Sequence, residues 1–216
     1  MTFPFRSASI AAITVATGAS ILAYPFLPRR VATRFNQDGR ATAYGSRKSA
    51  AIVFPMMMAA LLIFNDLLGR WPGGRDRENV ASGERAREEA VGLVEMASLP
   101  THLAILGIGI GLPISLRRLL PAVYGVLMVA LGNVLPKLPR NSLVGIRTPW
   151  TMLDPEVWER THRLGGYLVT GSGVVSLASL VLAGKRAERI SGLAIGGSAV
   201  ISTAYSFVVY RKRSRP

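Results

Sequence analysis

The chain has 216 residues, half of them hydrophobic, and carries 26 lysine and arginine residues against 12 aspartate and glutamate residues, for a formal net charge of +14. It contains no cysteine, which excludes disulfide bonds and thiolate metal sites. The apolar residues form runs long enough to cross a bilayer and the basic residues flank those runs, so the composition predicts a multi-pass membrane protein whose charges meet the lipid bilayer, with no direct nucleic-acid partner.

A polar segment, residues 28–48, follows the first apolar run and carries six basic residues. Val31, Thr33 and Phe35 recur at the spacing of a short strand, and residues 36–39 (Asn-Gln-Asp-Gly) have the composition of a turn. We therefore predict a small hairpin or extended loop at the membrane surface after the first span.

Six apolar runs predict six spans, at residues 8–27, 49–68, 99–114, 119–135, 167–183 and 190–210. Between the second and third runs, residues 69–98 form a polar amphipathic segment, which predicts a solvated helix leading into the membrane. Two pairs of glycines four residues apart, Gly107 with Gly111 and Gly192 with Gly196, predict close contacts between helices.

These elements predict an all-α membrane protein of six transmembrane helices, with the small extended or hairpin loop after the first span and an interfacial helix before the fifth. We divide the chain into residues 1–68, with two spans and the 28–48 loop, the amphipathic segment 69–98, and residues 99–216, with four spans. An even number of spans places both termini on one side of the membrane. That side carries 15 basic residues against 11 on the other, and this bias predicts cytoplasmic termini.

The polar stretch between the fourth and fifth spans, residues 137–166, is the densest in specific chemistry. Its Asp-Pro-Glu sequence at residues 154–156 predicts a helix start, because aspartate caps a helix, proline fits its first position and a first-turn acid meets the helix dipole. Trp158 and His162 are four residues apart, so we expect them to share one face of that helix.

Two interpretations of this stretch fit its residues equally well. Arginine, tryptophan and histidine side chains either anchor an interfacial helix by satisfying one another, or form a recognition surface for an anionic or peptide group. On the second interpretation, the recognition surface consists of Arg147, Trp150, His162 and Arg163.

Three motifs in the stretch resemble the signature of the SdpI family, which comprises immunity proteins against a secreted sporulation-delaying toxin peptide. They are Asn141, the block GIRTPWT at residues 145–151 and the block VWERTHRLGG at residues 157–166. This resemblance extends the candidate binding residues to Asn141, Gly145, Arg147, Thr148, Pro149, Trp150, Trp158, Thr161, His162 and Arg163. It also implies that residues 99–216 form a four-span SdpI-like domain.

The 28–48 loop resembles a short domain of unknown function that often precedes the SdpI domain. Phe35, Asn36 and Gly39 match its FNxxG motif and form a second candidate binding group. Arg34 departs from the pattern, because that domain usually has histidine at this position.

The family resemblance implies a protein that protects its host from a membrane-active peptide and that, in some members, holds a transcriptional repressor at the membrane. It implies no catalytic residue, cofactor or metal ligand. Two alternatives remain open. A membrane-embedded enzyme would use His162 beside Glu156 and Glu159 as its base, and a small-solute transporter is disfavoured because the apolar runs contain almost no charge.

Overall fold

The computed structural model describes residues 5–35, 41–70, 80–141, 144–182 and 185–214. In chain order its elements are α1 (Phe5–Ala23), β1 (Arg30–Phe35), β2 (Ala41–Ser46), α2 (Arg47–Arg70), α3 (Val80–Gly109), α4 (Leu116–Val134), α5 (Pro149–Leu153), α6 (Pro155–Ala178) and α7 (Lys185–Arg213). Short 3-10 turns follow the C-terminal ends of α1, α4 and α6.

Six helical segments of the described chain are long and apolar enough to cross a membrane. They are Phe5–Phe26, Arg47–Arg70, Glu84–Gly109, Leu116–Lys137, Pro155–Val181 and Arg189–Arg213. The hairpin of β1 and β2 lies between the first two spans, and the short helix α5 precedes the fifth. The predicted all-α, six-span membrane protein is therefore confirmed.

Two spanning helices begin well before the apolar runs that predicted them. Helix α3 continues through Pro100, so the amphipathic residues before this proline and the third span form one helix. Helix α6 begins at Pro155, far ahead of the apolar run that starts at Tyr167. A proline is tolerated inside α3 because neighbouring helices and local adjustment compensate for the one backbone hydrogen bond it removes.

The predicted hairpin after the first span is confirmed. Strands β1 and β2 pair antiparallel, with Arg30 opposite Ser46, and the register shifts between Ala32 and the end of β1. Val31 is buried and packs in a cluster with Leu27 and the C-terminal part of α3. The hairpin is thereby seated on the end of the helix bundle.

Helices α1, α2 and α3 form the N-terminal half of the bundle. Ala12 and Ala16 of α1 pack against Met58 of α2 in a buried cluster. Two polar contacts close the end of this half that lies near the N-terminus. Arg6 makes a bidentate ion pair with Asp66 at 2.6 and 2.8 Å, and the Nε of Arg87 on α3 donates to the side-chain oxygen of Asn65 on α2 at 2.7 Å.

Glycines bring α4 and α6 into backbone contact. A Cβ atom on Gly173 would lie 2.6 Å from the carbonyl oxygen of Gly125, and one on Gly166 would lie 2.7 Å from that of Gly132. The contacts predicted for the other glycine pairs were wrong. Gly111 ends a turn with a φ of +95°, and no described atom of another helix lies within 4 Å of a Cβ position on Gly192 or Gly196. The atoms nearest to a Cβ position on Gly107 belong to Leu112 and Ile114, just after its own helix.

Buried serines line the interface between α6 and α7. Ser179, directly after the end of α6, and Ser191 of α7 share a hydrogen bond at 3.1 Å. Other serines in this interface return their hydroxyls to carbonyls of their own helix, as Ser176 does to Ser172 and Ser202 does to Ser198. A serine whose hydroxyl is satisfied in this way is small and neutral, so it allows close helix packing in an apolar medium.

Candidate functional site

The signature loop, which we define as residues 137–166, lies at one edge of the bundle. Trp158 and Leu138 form a buried cluster with Val134 at the end of α4 and Ala86 near the beginning of α3. The beginning of α3 and the signature loop therefore lie at one end of the bundle, and Arg213 at the end of α7 contacts Asp154 at the same end.

Asp154 caps α6 as predicted. Its side chain accepts hydrogen bonds from the backbone N–H groups of Glu156, at 2.8 Å, and Val157, at 3.3 Å, with Pro155 at the first helical position. The Nε of Arg213, at the end of α7, donates to the other carboxylate oxygen at 2.7 Å. The hydrogen bond from Arg213 holds the pKa of Asp154 below its ordinary value, because it favours the charged carboxylate, and the two backbone donors act in the same direction.

Trp158 and His162 stack on each other inside the protein, with ring centroids 3.9 Å apart. Trp158 donates its indole N–H to the carbonyl of Leu138 at 2.8 Å. The Nδ1 of His162 lies 2.8 Å from the carbonyl of Trp158, and its Nε2 accepts the backbone N–H of Ile146 at 3.0 Å. A neutral ring with its hydrogen on Nδ1 satisfies both contacts, so His162 links the loop to α6 as a structural bridge.

Gly145 makes this bridge possible. Its φ is +124°, a region in which side chains are rarely found. A Cβ atom at this position would overlap the Nε2 of His162 and lie 3.0 Å from the ring of Trp158. The glycine thus allows the loop backbone to approach the stacked rings.

Two side chains fix the rest of the loop backbone. Asn141 donates to the carbonyls of Pro139 and Val144, at 2.8 and 3.1 Å, and accepts the N–H of Val144 at 2.7 Å. Thr148 caps α5 in a reciprocal capping box with Thr151, whose hydroxyl also contacts the carbonyl of Ile146 at 2.9 Å. These contacts order the loop on both sides of Gly145.

Trp150 connects the signature loop to the last helix. Its indole N–H donates to the hydroxyl of Ser206 at 2.6 Å. Its ring packs edge-on against Phe207, with centroids 5.3 Å apart, and stacks on Tyr210 at 6.5 Å. Together with the Arg213–Asp154 contact, this fixes α5 and the start of α6 against the end of α7.

Few of the signature side chains point outward. Arg147 is exposed and has no hydrogen bond or ion pair with the part of the chain that the structure describes. Pro149 is exposed beside it, at the first position of α5. Arg163 is exposed and pairs with Glu159 on the same helix.

The structure therefore separates the predicted binding residues into two groups. Trp158, Thr161 and His162 are buried, and Asn141, Gly145 and Thr148 shape the backbone. Residues buried in this way cannot touch a ligand without a rearrangement, so direct recognition would involve Arg147, Pro149, Trp150 and Arg163. The other candidate binding residues lie in the 28–48 loop. There Phe35 ends β1, whereas Asn36 and Gly39 lie outside the described residues.

Two polar residues of α3 are buried: Glu95, which the sequence interpretation did not single out, and His102, for which it favoured an interfacial position. Glu95 is fully buried, and the side chain of Ser9 on α1 lies within interaction distance of its carboxyl group. His102, seven residues later and so on the same face, is also buried; its Nε2 contacts the hydroxyl of Ser20 at 2.8 Å, and its ring stacks on Phe54. Glu95 lies outside the apolar run 99–114 but inside the span Glu84–Gly109, so the third span buries one ionisable group that the apolar run does not contain. Glu95 is the one charged residue within residues 91–99, and that isolation could have indicated its burial. Because residues 69–98 were predicted to be a solvated helix, a charge there was expected to be exposed.

The contacts within the signature loop are better suited to recognition than to catalysis. Both ring nitrogens of His162 are engaged by backbone groups, so the enzyme hypothesis loses the base that the sequence offered it. Among the described residues, no three histidine, cysteine, aspartate or glutamate side chains are grouped to hold a metal ion.

Comparison with known proteins supports the resemblance. Residues 137–210 match the SdpI/YfhL protein family, and residues 11–59 match a domain of unknown function, DUF1648. The chain is 23% identical over 204 residues to the immunity protein SdpI of Bacillus subtilis strain 168, which covers 94% of this chain and 95% of that protein. No solved structure matches the chain. The resemblance to the SdpI family, with the preceding domain of unknown function, is confirmed.

Proposed function

We propose that this multi-pass membrane protein, with its SdpI-family segment, is an immunity protein that protects its host cell from a membrane-active toxin peptide. We further propose that the signature loop passes the state of toxin binding to a transcriptional repressor held at the cytoplasmic face. The observation that carries the proposal is the similarity to an immunity protein over nearly the whole of both chains, which includes all six spans and the signature loop.

The geometry of the signature loop supports a recognition role. Arg147 stands on a backbone segment that His162, Thr151 and Asn141 hold in place. An exposed guanidinium on an ordered backbone loses little conformational freedom when it binds a carboxylate, and it offers two parallel N–H donors. The family match also extends to Tyr210, so it includes the α7 residues that contact Trp150.

The charge of this face indicates the chemistry of its partner. Within the signature loop and the end of α7, the carboxylates Asp154, Glu156 and Glu159 are paired with Arg213, Arg160 and Arg163. Four cations of these two segments have no ion pair with the described part of the chain: Lys137, Arg147, Arg211 and Lys212. A cytosolic repressor that docks here would therefore present an acidic surface.

A cytosolic partner requires the signature loop to face the cytoplasm, and the chain offers a direct test. Because it has no native cysteine, Arg147→Cys and Tyr44→Cys each introduce one exposed thiol, in the signature loop and in the hairpin. A membrane-impermeant maleimide applied to intact cells is expected to label Tyr44→Cys, and to label Arg147→Cys only after the membrane is opened. The reverse pattern would overturn the proposed orientation and the cytosolic partner with it.

The immunity role is tested by survival. The chain is expressed in a Bacillus subtilis strain that lacks its own immunity protein and is exposed to the sporulation-delaying peptide. Wild type is expected to protect, Arg147→Ala is expected to lose at least tenfold in survival, and Arg147→Lys is expected to retain part of it. The matched control is Arg118→Ala, which removes an exposed arginine at the opposite end of the bundle.

The comparison requires that each variant protein is present in the membrane in an equal amount. The side chain of Arg147 is exposed and makes no hydrogen bond or ion pair with the described part of the chain, so normal insertion is expected. If Arg147→Ala inserted normally and protected as well as Arg118→Ala does, the role of the signature loop would be refuted. If wild type itself failed to protect, the immunity proposal would be refuted for this toxin.

One observation favours a second candidate, a transporter of a small cationic solute. Glu95 is a carboxyl group buried inside the third span, and ionisable groups so placed often mark substrate pathways in membrane proteins. Glu95→Gln keeps the size of the side chain and removes its charge. Full protection by Glu95→Gln would support the immunity role without transport, whereas a loss of protection with normal insertion would support the transporter.

A further inference from the structure

A groove between α1 and α2 has no role in the proposed function. Its volume is about 690 Å³, and its walls are largely apolar, with Ile13 and Ile21 on α1 and Ile52 and Met56 on α2. Ile21, Ile52 and Met56 are exposed at its sides. The groove therefore opens toward the lipid and is large enough for a ligand.

The depth of the groove matches one leaflet of a bilayer. Its lining extends from Ile13 of α1 to Tyr24, just after that helix, and along α2 from Lys48 to Ala59, which is twelve residues, or eleven helical steps, on each side. At 1.5 Å per residue, that length is about 16 Å, roughly half of the 30 Å hydrocarbon core. A lipid acyl chain has this reach, whereas a spanning peptide helix would need the full thickness and a groove about 10 Å wide.

Positive charge gathers at the mouth of the groove. Lys48 lines the mouth itself, and the guanidinium of Arg47 lies 4.9 Å over the ring of Tyr24, another lining residue. The backbone of Arg29 accepts a hydrogen bond from Arg47 at 3.3 Å, and Arg30 pairs with Ser46 at the base of the hairpin. None of these four cations has an ion pair within the described residues, so the mouth lacks the anion that its charge would favour.

From these two features, we propose that the groove is a binding site for one anionic phospholipid. One acyl chain lies between α1 and α2, and the headgroup phosphate lies among Arg29, Arg30 and Lys48. Arg30 belongs to the hairpin and Arg29 directly precedes it, so the lipid ties the hairpin to the first two spans. This inference concerns a different part of the molecule from the signature loop and stands independently of the immunity role.

The test uses the purified full chain in a neutral detergent with added lipid. Native mass spectrometry is expected to show one phosphatidylglycerol retained per chain, bound at least tenfold more tightly than phosphatidylcholine. Lys48→Gln is expected to weaken phosphatidylglycerol binding roughly fivefold, the effect of removing one cation near a headgroup. Arg189→Gln, which removes an exposed cation on the same side of the membrane, is expected to leave binding unchanged.

A second pair of variants tests the acyl chain. Ala59→Phe fills the deep end of the groove and is expected to reduce retention at least fivefold, whereas Ala60→Phe adds the same ring at an exposed position outside the groove. Equal retention of the two lipids would overturn the proposal. Equal effects of Lys48→Gln and Arg189→Gln would also overturn it. So would displacement of the lipid by a spanning peptide, if neither Lys48→Gln nor Ala59→Phe changed lipid retention.

Discussion

Replacement of Gly145 by alanine gives the sharpest test of how the signature loop is built. The φ of +124° is a region that alanine avoids, at a cost of about 1–3 kcal/mol. The new Cβ would also overlap the Nε2 of His162, so the loop must move and break the hydrogen bond from Ile146. Leaving that buried pair unsatisfied costs about 1–3 kcal/mol more.

Together these terms predict that Gly145→Ala destabilises the folded protein by about 2–6 kcal/mol. For a chain of this length, that is a fall of roughly 5–20 °C in the unfolding temperature. Thermal unfolding in detergent, followed by tryptophan fluorescence, measures the change. Gly171→Ala is the matched control, because Gly171 is exposed within α6 and has nothing within 4 Å of its Cβ position. It should be neutral or slightly stabilising.

A double variant separates the two causes. In a His162→Ala background the overlap with the imidazole ring disappears, and Gly145→Ala should retain only the cost of its φ and of the tight contact with Trp158. The reasoning would be refuted if Gly145→Ala unfolded at the same temperature as Gly171→Ala. It would be refuted in part if the cost were unchanged without the imidazole ring.

Two further predictions concern the packing and charge around the signature loop. Gly173→Val should destabilise the folded protein by about 1–3 kcal/mol, because a Cβ atom there meets the backbone of α4. Gly192→Val is the control, since a Cβ atom there has no described neighbour within 4 Å, and it should cost less in the same unfolding assay. Equal losses of stability would contradict the contact between α4 and α6. Because the pKa of Asp154 is depressed in the folded protein, its contribution to stability is present above its ordinary pKa and is lost as the pH falls through the folded pKa. Asp154→Asn retains a capping side chain but should lose this part of the acid dependence in unfolding scans between pH 7 and pH 3, and an identical pH profile would contradict it.

Local features of this chain were predictable, because their causes lie within a few residues. The capping of α6 by Asp154 and the shared face of Trp158 and His162 depend only on helix geometry. The apolar runs likewise predicted the spans, because bilayer thickness sets their length.

What the sequence did not reveal depends on which helix faces which. The GxxxG pattern does not show whether a second helix lies nearby. It predicts a close helix contact at Gly192 and Gly196, whereas the structure has such a contact between Gly125 and Gly173. The partner of Trp150 is 56 residues away, and no local pattern announces it. The burial of Glu95 was not predicted, because a charged residue in a predicted solvated helix is expected to be exposed. The sequence does not show that α1 covers it.

The attachment of the signature loop to α7 has a consequence for biosynthesis. Trp150 precedes its partner Ser206 by 56 residues, and Asp154 precedes Arg213 by 59. At about 5–20 residues per second, the ribosome needs roughly 3–12 s after it has made the loop to supply these partners. The signature loop is therefore completed only when the last span has been inserted, and a nascent chain that stops before Tyr210 carries the family motif without its finished shape.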